Sequence, residues 1–368
     1  MTSQLFTPFS LRSVTLANRI VVSPMCQYSA TDGNASDWHT IHLGHLALSG
    51  AGLLIIEATA VELSGRISPG CLGLASDENE VVLKQVLASV RRWSAIPLAI
   101  QLGHAGRKAS TRVPWQGGGA LTPEEGAWPT VAPSALAFNE GDPLPHVLDS
   151  AGIGRMREMF VTATQRAARL GFDAIELHMA HGYLLHQFLS PLSNQRDDSY
   201  GGTLENRMRL PLEFFAAMRS AWPADKPFGV RVSAADWVAG GWDIEQTVAL
   251  AHELKRLGCD WLDVSSGGLS PQQEIPAAPG FQVGFAERVR RETGLPSIAV
   301  GLITEPAQAE DIIARGAADM VALARALLWN PRWPWHAAAA LGAQVDLPPQ
   351  YQRSAPQGVH GVLIQRNS

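Results

Sequence analysis

Eight short apolar, β-rich runs, each followed by a stretch of helical periodicity, constrain this chain more than any other feature. The runs fall at 20–23, 53–58, 98–102, 174–178, 228–232, 261–264, 298–300 and 320–323. Helical patterns alternate with them at 38–49, 80–93, 154–170, 205–222, 244–257, 285–292, 305–314 and 324–328. Short runs that are apolar almost throughout suit parallel strands covered on both faces. Gly171, Gly258 and Gly316 stand where helices should stop, each just before the next run. Eight βα units in series predict an α/β fold, a (β/α)8 TIM barrel forming a single domain over 1–368.

Two segments fall outside the repeat. Residues 103–150, rich in Gly, Pro and Trp, separate the third run from the third helix. A loop of that length is usually functional, so a lid on the catalytic face is expected, with a plain surface excursion as the alternative. The tail at 342–368 carries PPQYQRSAP at 348–356 and is expected either to dock or to fray.

Composition removes several classes. The net charge is -5 and no Lys/Arg run is present, which argues against a nucleic-acid partner. Cys26, Cys71 and Cys259 are scattered, with no CxxC, so no disulfide framework, zinc knuckle or iron–sulfur cluster is expected. The N-terminal segment has no basic stretch followed by an apolar core, and no run approaches a membrane span. A cytoplasmic setting is the expectation. GxSxG, a P-loop and a strand-following GxGxxG are all missing from the sequence.

In a barrel of this type chemistry gathers at the C-terminal ends of the strands. The residues there are Pro24, Met25, Cys26 and Tyr28; Thr59 and Ala60; Gln101 and His104; His178, His181 and Tyr183; Arg231; Ser265 and Ser266; Gly301; Ala324 and Arg325. No carboxylate pair is among them, which counts against a glycosidase, and Arg231 is the one obvious cation of the mouth. His178 and His181 lie in IELHMAHGYLLHQF. Their spacing can aim two imidazoles at a developing oxyanion. It also suits two ligands of a zinc site, or two satisfied histidines at a rim. The Tyr183 phenol is a weak acid fit to protonate an enolate. Gly301 and Ala324-Arg325 end the last two strands, where many barrels hold a phosphate; for Gly301 a tight turn is the plain alternative.

Longer motifs then line up: SPMCQYSA at 23–30, GLLIIEATAV at 52–61, QLGHAGRKAS at 101–110 and APSALAF at 132–138. Beyond them come GFDAIELHMAHGYLLHQFLSPLSNQRDDSYGGTLENR at 171–207, RVSAADW at 231–237, DVSSGG at 263–268, AVGLIT at 299–304 and QYQR at 350–353. Along almost its whole length the chain resembles the Old Yellow Enzyme family of FMN-dependent ene-reductases. It is most similar to the thermophilic-like subgroup, with the xenobiotic reductases nearby.

The resemblance implies a tightly bound, non-covalent FMN and a transient NADPH or NADH, with no resident metal. Gln101 would meet the pyrimidine edge of the flavin, and Arg231 its N1/O2 region. Backbone near Pro24, Met25 and Ala60 would line the ring, and Cys26 would tune it near N5/O4, unless that thiol is merely buried and inert. Gly301, Ala324 and Arg325 would hold the phosphate. His178 and His181 would grip the activating oxygen of an alkene, Tyr183 would donate the proton, and Tyr28 would line the substrate side. Tyr351 and Arg353 would cross a homodimer interface into the neighbour's site. The implied reaction is ping-pong reduction of an activated alkene. Many relatives carry Gly-Arg where this chain has Ala324-Arg325, and His then Asn where it has His178 and His181. The stretch 110–130 is longer than in the shorter members. The competing expectations are a zinc-dependent barrel hydrolase, a non-catalytic flavin protein, and a longer barrel oxidoreductase such as a dienoyl-CoA reductase or an amine dehydrogenase.

Overall fold

Each apolar run is a strand, and the strands pair in chain order, all parallel, until the last meets the first. These relations come from a computed structural model that describes residues 3–357, 359 and 361–364. The barrel strands are β1 (Ile20–Val22), β2 (Leu53–Ala60), β3 (Leu98–Gly103), β4 (Ala174–Met179), β5 (Phe228–Ser233), β6 (Trp261–Ser265), β7 (Ser297–Ala299) and β8 (Met320–Leu323). Every residue of β3, β4, β5 and β6 is buried. With no strand face left to water, apolar–polar alternation has no reason to appear in the sequence.

Alternation persists in a different form, between two cores. Ala174 belongs to a small cluster inside the barrel, whereas Ile175, Leu177 and Met179 belong to the large cluster beneath the helices. Glu176 and His178 share the inward phase of Ala174. Ala99, Trp261, Ile298 and Met320 fill the lower interior with it. A hairpin of Phe9–Leu11 and Val14–Leu16, which the apolar pattern did not reveal, closes the bottom with Leu11 and Leu16. The Trp261 indole needs room, and β5 provides it at Gly229: a Cβ there would lie 1.9 Å from the indole Cε2.

The helices are α1 (Asp37–Ala47), α2 (Asp77–Arg91), α3 (Ser150–Arg169), α4 (Leu184–Leu189), α5 (Leu204–Ala221), α6 (Ile244–Arg256), α7 (Val283–Thr293), α8 (Pro306–Ala314), α9 (Arg325–Trp329) and α10 (Trp333–Leu341). Ser76, Asp149, Thr203 and Asp243 cap α2, α3, α5 and α6 by accepting a first-turn N–H. Such caps contribute about 1 kcal/mol each. The cap at Asp149 starts α3 four residues before its apolar periodicity does.

The long segment after β3 folds as three 3-10 turns and a two-residue parallel pair, Val131–Ala132 with His146–Val147. The tail docks. Val345–Asp346 pairs with Leu363–Ile364, and Val345 and Leu347 are buried beside Trp335. Residues 358, 360 and 365–368 of that tail lie outside the described residues. The docking place is at the N-terminal ends of the strands, since Val345 packs on Gly50 just ahead of β2. Among the described residues no helix is long and apolar enough to cross a membrane.

Gly229→Ala should overpack the barrel interior and lower stability by about 3 kcal/mol. A urea melt of the variant that matches wild type would show that Trp261 has space the packing denies.

Candidate active site

The turn that follows β4 makes the site. His181 (φ 59°) and Gly182 (φ 73°) are both left-handed, which folds the chain back over the strand end. Gly182 is required because a Cβ would lie 2.1 Å from the Gly268 carbonyl oxygen. The reversal gathers three rings. His178 and His181 have centroids 5.1 Å apart, His178 and Tyr183 5.1 Å, and His181 and Tyr183 6.5 Å, every pair edge-on.

Their hydrogen bonds decide what each ring presents. Ala180 N–H donates to His178 Nδ1 at 3.3 Å, so the neutral ring carries its proton on Nε2. His181 Nε2 lies 2.9 Å from Ser265 Oγ; in the tautomer where the serine donates, the His181 proton stands on Nδ1. Burial holds both imidazoles well below the usual histidine range, helped by Arg231 and Lys108. Burial pushes the Tyr183 phenol well up, with Cys26 and Tyr28 adding to the shift. The trio is therefore uncharged at neutral pH, with one proton to donate on each ring. Among the described residues no set of three or more His, Cys, Asp or Glu stands together as metal ligands.

The remaining strand-end residues divide in two. Gln101 and Arg231 point into the mouth over a buried polar layer. Gln101 Nε2 donates to Glu176 Oε1 at 2.8 Å, which leaves the Gln101 carbonyl oxygen to face elsewhere. Arg231 Nη1 donates to Ser23 Oγ at 3.1 Å, and Nε lies 3.3 Å from Asp263 Oδ2. At the other side of the mouth, the N–H groups of Gly301, Leu302, Ala324 and Arg325 donate to no backbone or side-chain acceptor among the described residues. Gly301 (φ 115°) has no room for a side chain, since a Cβ would lie 2.5 Å from Gln282 Nε2. The Arg325 side chain is exposed beside them. Free amides next to a cation suit the oxyanions of a phosphate.

Half-buried Met25 and Cys26 follow β1, and their N–H groups likewise find no acceptor among the described residues. Burial, with Cys71 and Glu57, pushes the Cys26 thiol well up, so it is no thiolate. The backbone groups of Ala60 are both engaged: its N–H donates to Leu72 O and its carbonyl accepts from Leu74 N–H, both at 2.9 Å. It can line a ring but has no free N–H to offer. Tyr28 (φ 51°) stands edge-on to Trp115 of the long segment, at 5.9 Å. Tyr351 is not near its own chain's trio. Tyr351 packs on Trp335 and under Arg332 at the opposite end of the barrel.

Several residues of the site carried no strand-end signal. Lys108 Nζ donates to the carbonyls of His181 (2.9 Å) and Gly268 (2.8 Å) and lies 5.3 Å over the Tyr183 ring. Arg231 is thus not the sole cation of the mouth, although burial lowers Lys108 to about 8. Gln187 Nε2 donates to Gly182 O, and His186 Nδ1 accepts from Gly182 N–H while Nε2 faces Asp236 at 2.9 Å. The two polar residues of the otherwise apolar LLHQFL were the available signal. Glu176 and Asp263 form a carboxylate pair one layer below the strand ends.

The sequence profile of the NADH:flavin oxidoreductase / NADH oxidase family matches residues 4–344. The chain belongs to this family. An NADPH dehydrogenase of Geobacillus thermodenitrificans is 44% identical over 355 residues, covering 96% of this chain and 99% of the relative. An NADH:flavin oxidoreductase of Gibberella zeae is 43% identical over 363 residues, 94% of this chain and 87% of that one. Morphinone reductase superposes with a TM-score of 0.76 at 28% identity, over 99% of this chain and 97% of its own. The Old Yellow Enzyme resemblance holds, and the chain is an FMN-dependent oxidoreductase that uses NAD(P)H.

Glu176 yields a pH test. Burial and the neighbouring Asp263 raise its carboxyl far above the usual carboxylate range, to about 8. An unfolded Glu ionises near about 4.3. From there up to the raised value the folded chain keeps a proton the unfolded chain has lost, so stability falls as pH rises. In Glu176→Gln the drop in urea midpoint between pH 5 and pH 8 should shrink. An undiminished drop would place the proton elsewhere.

Proposed function

We propose that this flavoenzyme is an alkene reductase acting on enones, enals, maleimides or nitroalkenes. The observation that carries the proposal is the uncharged trio His178, His181 and Tyr183, with protons on three rings, in the mouth of the barrel. Met25, Cys26, Ala60 and Pro24 would line the FMN ring, Gln101 and Arg231 would meet its pyrimidine end, and Gly301, Ala324 and Arg325 would hold its phosphate. When bound, FMN supplies a hydride taken from the nicotinamide and passed to the β-carbon of the alkene. Gln101 offers a carbonyl oxygen and Arg231 a fixed positive charge, which suit the imide N–H and the electron-rich side of a flavin.

His178 Nε2 and His181 Nδ1 grip the carbonyl or nitro oxygen. As the substrate gains charge their hydrogen bonds strengthen, and one such donor is worth about 3 kcal/mol. Neutral rings suit the task, because a charged pair would bind any anion before reaction. Tyr183 delivers a proton to the α-carbon, and Tyr28 walls the substrate side. The nicotinamide and the alkene use the pocket in turn, which makes the kinetics ping-pong and removes the need for a dinucleotide-binding fold.

The whole chain acts as one FMN-binding domain, with 103–150 as lid and 342–368 as tail, in a cytoplasmic homodimer. Tyr351 lies at the far end of its own barrel, and Tyr351 and Arg353 would reach across the interface into the partner's pocket.

Tyr183→Phe should slow alkene reduction about a hundredfold and leave reduction by NADPH nearly as fast as in wild type. Equal slowing of both half-reactions would remove the proton-donor role. His178→Ala should weaken phenol binding to the oxidised enzyme, and an unchanged titration would take His178 out of the oxyanion grip. Light scattering should give a dimer, and Arg353→Ala should raise the KM for the alkene; a monomeric wild type would defeat the shared site.

A further inference from the structure

Beneath the long segment lies a cavity of about 450 Å³. Ile67 and Tyr183 line it, and the same two residues line the small pocket against His178, so the two spaces share a wall at the proton donor. Its other walls include Leu121, Trp128, Phe138 and Leu144. We propose that this cavity receives a bulky apolar group, an aryl ring above all, carried on the α-carbon of the alkene. The inference rests on the alkene-reductase reading and names the substrate class that reading leaves open.

Polar groups also line the space, but several of them spend their hydrogen bonds on other parts of the chain. Lys108 donates to the carbonyls of His181 and Gly268. Arg107 donates to those of Leu136, Ala137 and Leu269, and only its buried Nε is without a partner among the described residues. Asp142 accepts twice from Asn139, Thr111 donates to Ile67 O, and Trp128 donates to Ser64 O. A phosphate or carboxylate would compete with the carbonyls that hold Lys108 and Arg107, whereas an apolar group replaces only water. The volume is well above the roughly 150 Å³ of an apolar cavity that takes up benzene.

Position follows from the chemistry. The carbon that Tyr183 protonates is the α-carbon, so a substituent there starts at the residue that walls the cavity.

The test compares 2-phenyl-2-cyclohexenone with 2-cyclohexenone on the flavin-loaded enzyme with NADPH. The expected kcat/KM ratio favours the phenyl compound by about tenfold, in line with the burial of an aromatic group. In parallel, 2-phenylphenol should bind the oxidised enzyme more tightly than phenol. Ala127→Trp, at an exposed position on the cavity wall, should pull both ratios toward one, as should Phe138→Ala. Ratios near one in wild type, or ratios unmoved by both variants, overturn the subsite while leaving the alkene-reductase reading intact. If neither enone is reduced, both fall together.

Discussion

A buried polar layer halfway up the barrel, centred on Glu176, ties the fold to the site. Parallel register sets Gln101 beside Glu176 and Arg231 beside Asp263. Glu176 accepts from Gln101 on one oxygen and from Trp261 on the other. Trp261 reaches it only because β5 has glycine at 229. A single carboxyl thus fixes the lower plug of the barrel and the orientation of an amide at its mouth. Two carboxylates with one guanidinium inside a barrel are costly unless their charge is reduced. Burial raises both carboxyls, which favours a shared proton, and Asp263 stands as the partner of Arg231.

Above this layer the working rings depend on one left-handed turn. His181 and Gly182 occupy backbone conformations that are unfavourable for a side chain and open only to glycine at the second place. Four side chains hold the turn. Lys108 takes the His181 carbonyl, Gln187 takes the Gly182 carbonyl, His186 accepts the Gly182 N–H, and Ser233 Oγ accepts the His181 N–H. They come from the β3 turn, α4 and β5, so the turn is fixed against three neighbouring parts of the barrel.

The strands were legible because both-face burial writes itself as an unbroken apolar run, and the strand-end rule then pointed to His178, His181, Tyr183, Gln101 and Arg231. Three kinds of feature stayed hidden for physical reasons. Lys108 acts on backbone carbonyls, and carbonyls leave no trace in a sequence. Glu176 and Asp263 lie inside runs whose inward phase cannot be seen when both faces are apolar. The bottom hairpin is too short to show a period. The engagement of the Ala60 N–H by Leu72 was hidden for a related reason, since only the folded loop at 71–74 reveals it.

Charge placement explains why the trio is neutral, and why that matters for rate. Arg231 and Lys108 both lie close enough to oppose protonation of His178 and His181, and burial does the larger part. A catalyst gains only from interactions that grow toward the transition state. Two neutral N–H donors near fixed cations meet an uncharged carbonyl weakly and a developing oxyanion strongly. Protonated imidazoles would have bound anions in the ground state and blunted that difference. In the proposed reaction the cations of the site would thus act indirectly, by keeping the groups that meet the substrate uncharged until charge arrives on the substrate itself.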